Sequence, residues 1–331
     1  MDIEQFLSEW HNDSPTVIVH TSGSTGKPKP MRVEKRRMEA SARITCRFLG
    51  LKEGDTALLC LPLDYIAGKM MVVRALTCGL RLVCVEPSSH PLAGTFSLKE
   101  PEQRLTLAAM VPLQVYHSLR DSVERERLKA ICHLIIGGGA IDDAMAAELK
   151  DFPHAVWSTY GMTETLSHIA LRRISGPDAT DWYTPFEGVG LSQDSEGCLV
   201  IDAPAVHEGP LVTNDIAELR ADGTFRILGR RDNVICSGGV KLQIEEIERR
   251  LHPYMPVPFM LTKTPDAKLG EQAVLLAEPA DAETLLALCR RHLPRYWQPR
   301  RVVFVDRLPL TATGKPARAE ALRMAREALE A

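Results

Sequence analysis

The sequence lacks the features of a membrane, secreted or nucleic-acid-binding protein. No apolar run approaches the roughly 20 residues that a helix needs to span a bilayer. The start, Met1-Asp2-Ile3-Glu4-Gln5, has neither the basic nor the apolar region of a secretory signal. A formal net charge of −3 provides no general basic surface for nucleic acid or an anionic membrane. We therefore expect a cytoplasmic protein without a membrane span or a nucleic-acid partner, in which any anion is bound locally.

Metal-binding spacing is absent as well. The eight cysteines include no Cys-x-x-Cys pair, and the ten histidines are dispersed. Most cysteines lie in apolar runs such as Leu58-Leu59-Cys60-Leu61, where a reduced cysteine acts as a small core residue. We expect structural thiols and no metal site built from cysteine and histidine.

The order of apolar and polar segments predicts two domains. The 331 residues are 45% hydrophobic and 25% charged, as in ordinary globular proteins. Strands alternate with helices as far as Thr159, which predicts an α/β fold with a mostly parallel sheet flanked by helices. Shorter strands from about 170 to 228 indicate a small β-rich subdomain. We assign 1–228 to an N-terminal domain, 229–232 to a connection and 233–331 to a separate small α+β domain.

The spacing also predicts individual elements. Helices are expected at Glu34–Leu49, from about Ile66 to Cys78, at Val115–Lys129 and from Asp142 to Lys150. Thr16–His20 is expected to be a buried strand that ends, with the strands before Gly137 and Tyr160, at the carboxyl edge of the sheet. Ligands bind at that edge in sheets of this kind.

The stretch after the first strand carries the first chemistry, and it reads Thr21-Ser22-Gly23-Ser24-Thr25-Gly26-Lys27-Pro28-Lys29. Small residues let backbone N–H groups approach oxygen atoms, hydroxyls donate hydrogen bonds, and ammonium groups neutralise charge. Pro28 after Lys27 excludes a Walker A loop, which needs Ser or Thr there. Taken alone, the stretch is either a polyphosphate cradle or a solvated linker.

Two further motifs supply groups for a nucleotide. Tyr160-Gly161-Met162-Thr163-Glu164 offers an aromatic face for a base and a carboxylate for Mg²⁺, although singly Tyr160 suits a core and Glu164 a surface. Asp215, in Thr213-Asn214-Asp215, and Arg230 can bind ribose hydroxyls or simply form an exposed salt bridge.

The C-terminal part has two motifs of its own. The stretch 229–248 contains Ser237-Gly238-Gly239-Val240-Lys241, whose glycines allow close approach or special dihedral angles. Pro309-Leu310-Thr311-Ala312-Thr313-Gly314-Lys315 is a tight loop that presents one lysine.

The five motifs together, in this order, resemble the core motifs of the adenylate-forming enzymes, the superfamily of acyl-CoA synthetases, luciferases and peptide-synthetase adenylation domains. The resemblance covers nearly the whole chain. It implies that a carboxylic acid attacks the α-phosphate of Mg·ATP, which gives acyl-AMP and pyrophosphate, and that coenzyme A then displaces AMP. It also implies that the small C-terminal domain is mobile and rotates between the two steps about a hinge at Asp232.

The resemblance assigns a role to each motif. Thr21–Lys29 would hold the β- and γ-phosphates. Tyr160 would stack on adenine near Gly137-Gly138-Gly139, and Asp215 and Arg230 would hold ribose. Thr163 would contact the phosphate or the carboxylate, and Glu164 would bind Mg²⁺. Lys315 would bridge the carboxylate and the α-phosphate, while Gly238, Gly239 and Lys241 would line the coenzyme A tunnel.

The sequence departs from the superfamily pattern in two places. Members usually carry a long stretch before the phosphate loop, whereas here the loop begins at residue 21, and dimerisation would cover exposed core surface. Asn214 also stands where glycine is common.

The resemblance leaves the substrate open. The sequence of Ser237–Gln243 is most similar to that of 2-succinylbenzoate–CoA ligases of menaquinone synthesis. Another aryl- or fatty acyl-CoA ligase, an enzyme that loads a carrier protein, and a non-catalytic nucleotide-binding relative remain alternatives.

Overall fold

A computed structural model describes residues 1–20, 30–94, 104–311 and 316–330. Within these ranges, no helix is long and apolar enough to cross a bilayer.

The chain begins with a helix and a two-stranded ribbon. Helix α1 (Ile3–His11) starts at a capping box formed by Asp2 and Gln5, and its side chains Phe6 and Trp10 are buried. Strand β1 (Thr16–His20) pairs antiparallel with β2 (Pro30–Glu34).

The position of β1 corrects the sequence prediction. Within the described residues, β1 pairs with β2 only, apart from one bridge between His20 and Tyr65. Its side chains alternate, with Val17 and Val19 buried and Ile18 exposed. The strand is therefore half-buried and lies outside the main sheet, because its partner is the strand that follows it in the chain.

The main sheet has seven strands in the order β4-β3-β5-β6-β7-β8-β9. The strands are β3 (Thr56–Leu59), β4 (Arg81–Cys84), β5 (Leu107–Met110), β6 (His133–Ile136), β7 (Ala155–Gly161), β8 (His168–Arg173) and β9 (Thr184–Pro185). The pairs from β4 to β7 are parallel, and β8 and β9 are added antiparallel. The prediction of a mostly parallel sheet is confirmed.

Helices connect these strands. They are α2 (Lys35–Leu49), α3 (Ile66–Cys78), α4 (Pro112–Arg120), α5 (Ser122–Lys129) and α6 (Asp143–Lys150). Helices α2 and α3 end at Gly50 and Gly79, both with φ of 67°, and Asp142 caps α6 through the backbone N–H of Met145.

The prediction of one helix over Val115–Lys129 is wrong. The carboxylate of Asp121 accepts hydrogen bonds from the backbone N–H groups of Val123 and Glu124, both at 2.9 Å. Asp121 therefore caps a second helix and separates α4 from α5.

The β-rich subdomain is a four-stranded antiparallel sheet. Its strands are β10 (Gly190–Gln193), β11 (Cys198–Asp202), β12 (Leu211–Leu219) and β13 (Phe225–Arg230). A bridge between Tyr183 and Phe225 joins β13 to the chain that leads into β9.

The C-terminal part has a five-stranded sheet. The strands of this sheet are β14 (Val234–Ser237), β15 (Val240–Gln243), β16 (Phe259–Asp266), β17 (Gly270–Ala277) and β18 (Arg301–Phe304). The helices of this part are α7 (Ile244–Leu251), α8 (Ala282–His292) and α9 (Arg318–Glu330). One hydrophobic core holds buried residues from Phe6 to Phe225, and two smaller ones hold residues from Ile235 to Ala325. The domain boundaries stay a prediction.

Candidate active site

Two neighbouring parallel strands deliver predicted site residues to one edge of the sheet. Ile136, at the end of β6, lies opposite Ser158 of β7, so Gly137-Gly138-Gly139 and Tyr160 follow the same edge. A Cβ atom on Gly137 would lie 2.3 Å from Oγ1 of Thr159, and Gly138 has φ of +78°. The loop after β6 therefore passes too close to β7 for any side chain at position 137.

Tyr160, Asp215 and Arg230 form one cluster. The Tyr160 hydroxyl donates a hydrogen bond of 2.8 Å to one carboxylate oxygen of Asp215, and Nη1 of Arg230 lies 3.4 Å from the other. Strands β12 and β13 create this contact, because Asp215 and Arg230 are paired across them. The structure thus brings together the three residues that the sequence analysis assigned to adenosine.

Tyr160 is also part of an aromatic group. Its ring is packed against Phe225 at a centroid distance of 5.2 Å and against Tyr183 at 5.9 Å, and the residue is 9% exposed. Burial, followed by the charge of Asp215 and its hydrogen bond, raises the pKa of the Tyr160 hydroxyl. Tyr160 is therefore a neutral hydrogen-bond donor, and its stacking on adenine stays a prediction.

A tight turn fixes Thr163 and Glu164. The hydroxyl of Thr165 accepts a hydrogen bond from the backbone N–H of Met162 at 3.0 Å and lies 2.7 Å from the carbonyl oxygen of Ser167, to which it can donate. Leu166 has a positive φ of 64°, which a non-glycine residue adopts at a cost. Within this turn Thr163 is buried and Glu164 is exposed.

Gly161 allows the turn to close. A Cβ atom on Gly161 would lie 2.2 Å from the carbonyl oxygen of Ser167 and 2.4 Å from Cα of His168. The start of β8 therefore lies against the end of β7, and a side chain at position 161 would push the two strands apart.

The predicted hinge residue Asp232 lies in a short 3-10 turn, Arg231–Asn233. Nδ2 of Asn214 donates to Oδ2 of Asp232 at 3.2 Å, and Nη2 of Arg231 donates to Oδ1 of Asn214 at 2.5 Å. Arg231 also forms an ion pair of 2.6 Å with Glu196. Asn214 thus uses both ends of its amide to tie the turn to β12, which glycine at this position cannot do.

Gly238 and Gly239 form the turn of a hairpin. Ser237 pairs with Val240 across β14 and β15, and the two glycines between them have φ of +59° and +84°. Two positive φ angles are typical of a type I′ turn, which glycine adopts without strain. The side chain of Lys241 is exposed beside this turn.

Two predicted motifs lie outside the described residues. These are the stretch Thr21–Lys29 and Lys315. Their flanks are described and paired, since His20 lies opposite Pro30 and a bridge joins Leu310 to Pro316.

Helix α3 carries two buried cations that were not predicted from the sequence. Lys69 and Arg74 are each 2% exposed. Nζ of Lys69 donates to the carbonyl oxygen of Ile18 at 2.7 Å and lies 3.6 Å from Glu9. Two charges inside an otherwise apolar helix were the signal in the sequence that could have revealed them.

Among the described residues, the hydrogen-bond partners of Arg74 are all neutral. Nη2 donates to Oγ of Ser167 at 2.7 Å, Nη1 lies 3.5 Å from Sδ of Met71, and Nε has no partner. Burial lowers the pKa of the guanidinium to about 10, so it remains charged at neutral pH. A buried cation of this kind lies next to the turn that carries Thr163 and Glu164.

Comparisons with known proteins show which family the chain is similar to. The family described as AMP-binding enzyme matches residues 4–207, and the AMP-binding enzyme C-terminal domain matches residues 263–315. The 2-succinylbenzoate–CoA ligase of Bacillus licheniformis is 29% identical over 92% of this chain and 69% of its own length.

Solved structures show the same similarity. An AMP-forming acyl-CoA synthetase/AMP-acid ligase II-like protein from Dyadobacter fermentans is 34% identical, with a TM-score of 0.66 over 98% of this chain and 92% of its own. The o-succinylbenzoate CoA synthetase of Bacillus subtilis, bound to its acyl-adenylate intermediate, shares the fold with a TM-score of 0.74 and 23% identity over 92% of this chain and 68% of its own. Since the first family match alone spans more than half of the residues, the chain belongs to the AMP-binding enzyme family, the adenylate-forming enzymes.

Proposed function

We propose that the protein is an ATP-dependent carboxylate–CoA ligase that works through an acyl-adenylate. The first half-reaction would give acyl-AMP and pyrophosphate, and the second would give the thioester and AMP. The observation that carries the proposal is the position of the Tyr160–Asp215–Arg230 cluster beside the turn of Thr163 and Glu164 at the carboxyl edge of the sheet.

The cluster suits an adenosine site. Asp215 is 14% exposed at its side chain and Arg230 41%, so the guanidinium can move away and leave the carboxylate to accept from ribose hydroxyls. The hydrogen bond from Tyr160 would keep Asp215 in place during that exchange. The glycines of positions 137–139 would let the adenine ring approach the backbone.

Glu164 suits a magnesium ion that is shared with ATP. Mg²⁺ is commonly held by one or two carboxylates together with substrate phosphates, and Glu164 is an exposed carboxylate next to the buried Thr163. Within the described residues, no group of three or more His, Cys, Asp or Glu is arranged to hold a metal without a substrate. Bound there, Mg²⁺ would neutralise phosphate charge.

The remaining roles follow the family motifs. Thr21, Ser22, Gly23, Ser24, Thr25, Gly26 and Lys29 would hold the pyrophosphate part of ATP, and Lys315 would stabilise charge on the α-phosphate as a compact ammonium group. After rotation about Asp232, the turn of Gly238 and Gly239 with Lys241 would line the path of coenzyme A.

We further propose 2-succinylbenzoate as the acid. Curated relatives that carry that name are 24–29% identical to this chain. This acid has two carboxylates, so one remains when the other is activated. Arg74 is a buried cation that has no carboxylate partner among the described residues, and the spare carboxylate of such a substrate would provide one.

A substrate panel tests this function. The protein would be mixed with ATP, Mg²⁺, coenzyme A and a series of acids, and pyrophosphate release and thioester mass would be measured. We expect thioester with 2-succinylbenzoate and little with medium-chain fatty acids. The reverse pattern would contradict the substrate assignment, and acyl-AMP without a thioester would favour a carrier protein as the acceptor.

A non-catalytic relative is the alternative from another class. Such a protein would bind a non-hydrolysable acyl-AMP analogue but would show no ATP–pyrophosphate exchange with any acid in the panel. The retention of Glu164 and Lys315 in the sequence argues against it.

The proposed setting is the cytoplasm, with small molecules as partners. A formal charge of −3 offers no general attraction to nucleic acid. We include a homodimer in the proposal, and the mass in solution, measured by light scattering, would decide between one and two chains.

A further inference from the structure

A chain of polar groups, all buried except the half-buried Ser167, connects α2 to α3 through the start of β8. Its members are Ser41 and Thr45 on α2, Ser167 and His168 at the β7–β8 turn, and Arg74 on α3. Thr45, Arg74 and His168 are 0%, 2% and 8% exposed. None of these residues belongs to the family motifs described above, and the proposed chemistry leaves His168 without a role.

The direction of every hydrogen bond in this chain follows from its two ends. At one end, Oγ1 of Thr45 donates to the carbonyl oxygen of Ser41 at 3.1 Å, so it must accept from Nε2 of His168 at 3.2 Å. At the other end, Arg74 can only donate, so the hydroxyl oxygen of Ser167 accepts from Nη2 at 2.7 Å. The same hydroxyl donates a hydrogen bond to Nδ1 of His168 at 3.2 Å. The network assigns His168 as the neutral tautomer that is protonated at Nε2.

The surroundings keep His168 neutral. Burial, followed by the positive charge of Arg74, lowers the pKa of the imidazole well below its usual value. A protonated ring would also turn Nδ1 into a donor and remove the acceptor that Ser167 needs.

The arrangement has a consequence for Arg74. Because the Ser167 hydroxyl donates its hydrogen bond to His168, its lone pairs are left to accept from Nη2 of the guanidinium. Nε has no partner, and Nη1 faces only the weak acceptor Sδ of Met71. A buried donor without an acceptor is costly, and a bound carboxylate would satisfy it.

We propose that His168 is a positioning residue that orients Arg74 through Ser167 and thereby sets the preference for acids that carry a second carboxylate. This inference rests on the proposed ligase function and deepens it. The hydrogen bonds of His168 go to Thr45 and Ser167, and the proposed function gives it no role toward the reacting carboxylate or ATP. We therefore expect its effect in the selection of the acid and not in the chemical step.

The experiment compares two variants at one position. In His168→Gln, the side-chain oxygen can accept from Ser167 and the amide nitrogen can donate to Thr45, so the chain is kept. In His168→Leu, both bonds are lost at similar volume. Each variant is assayed by pyrophosphate release with two acids, namely the dicarboxylic acid that the wild type uses best and its analogue with hydrogen in place of the non-reacting carboxylate.

We expect a selective loss in His168→Leu. The KM for the dicarboxylic acid should rise about tenfold or more, on the order of one oriented charged hydrogen bond, while the KM for ATP and the kinetics of the analogue stay within about twofold. His168→Gln should stay close to the wild type with both acids. Thr45→Val, which removes the acceptor for Nε2, should show a weaker form of the same selective loss.

Three results would overturn the inference. A wild type that uses the analogue as well as the dicarboxylic acid has no preference to set. A Leu variant that loses both acids and ATP to the same degree, with a lower unfolding temperature, shows that His168 only supports the fold. A ¹⁵N spectrum of the wild type in which His168 is protonated at Nδ1, or titrates between about pH 5 and 8, contradicts the hydrogen-bond assignment even if the Leu variant does not fold. Failure of the proposed function is different, since no acid in the panel would then give pyrophosphate.

Discussion

At the scale of single residues, the two buried cations of α3 differ in how their charge is compensated. Lys69 has a carboxylate 3.6 Å away, on Glu9, and lies over the ring of Phe6 at 5.3 Å. Arg74 has the hydroxyl of Ser167 and a thioether as its neighbours. Removing one member of a buried ion pair leaves the other charge uncompensated, whereas removing an unpaired charge relieves a desolvation cost. The two residues should therefore respond in opposite ways to the same substitution.

We expect Lys69→Met to destabilise the protein by about 2–3 kcal/mol, less than the ~3–5 of a fully buried pair, because Glu9 is 24% exposed at its side chain. Arg74→Met should change the free energy of unfolding by less than about 1 kcal/mol or should increase it. Urea unfolding of the ligand-free protein measures both. The double variant Lys69→Met/Glu9→Gln is the control and should recover part of the loss. An Arg74→Met loss as large as that of Lys69→Met would show that the guanidinium is compensated in the free protein.

Lys315 is the residue for which the two half-reactions are expected to separate. Its ammonium group would stabilise charge only while the acid attacks the α-phosphate, so Lys315→Ala should abolish acyl-AMP formation and largely spare thioester formation from synthetic acyl-AMP. Lys241, on the hairpin that would face coenzyme A, provides the matched control. Lys241→Ala should slow the second half-reaction and leave ATP–pyrophosphate exchange within about threefold, a small effect on the energy scale of catalysis. Equal loss of both half-reactions in Lys315→Ala would contradict its assignment.

At the scale of elements, an ion pair with two parallel hydrogen bonds fixes the start of α9, the helix that follows Lys315 in the chain. Nη1 and Nη2 of Arg318, at the start of α9, bind the two carboxylate oxygens of Glu248 on α7 at 2.6 and 2.5 Å. The same carboxylate accepts from the backbone N–H of Leu261 at 2.7 Å. The helix that follows the lysine is therefore attached to both α7 and β16.

Loss of this attachment should affect the first half-reaction in particular. Arg318→Met should lower acyl-AMP formation by about tenfold or more, since a displacement of about 1 Å at a positioning group can cost that much, while thioester formation from acyl-AMP changes less. Arg323→Met is the control, because Arg323 pairs on the same helix with Glu320 and Glu327 at the surface. If the two variants behaved alike, the attachment would have no role in catalysis.

The elements also show what can be predicted from the sequence and what cannot. Helices α2, α3 and α6 end or begin at Gly50, Gly79 and Asp142, so local chemistry was sufficient to predict them. The break at Asp121 depends on a capping residue inside an apolar pattern that is continuous across it. The pairing of β1 with β2 and the contact of Arg74 with Ser167, 93 positions apart, depend on tertiary packing, which a single sequence does not contain.

At the scale of the whole molecule, the hydrophobic cores are divided between residues up to 225 and residues from 235 onwards. The connection between them is held by polar contacts, chiefly those of Asn214 with Arg231 and Asp232. Gln243 adds a hydrogen bond of 3.0 Å to the carbonyl oxygen of Arg230. Exposed hydrogen bonds of this kind contribute little each, so they can break without disturbing either core.

Asn214→Gly, which removes the side-chain amide, should therefore open the connection more often. Two net hydrogen bonds of about 0.5–1.5 kcal/mol each correspond to an increase of several-fold or more in the open population. Limited trypsin digestion measures this, because cleavage after Arg230 or Arg231 gives two fragments that mass spectrometry identifies. The control is Gln193→Ala, which removes a hydrogen bond of 2.8 Å to the carbonyl oxygen of Ala217 within the same β-rich sheet and far along the chain from the connection. Cleavage at 230–231 should rise in Asn214→Gly and not in the control. Unchanged cleavage in both would mean that the Asn214 amide does not determine how often the connection opens.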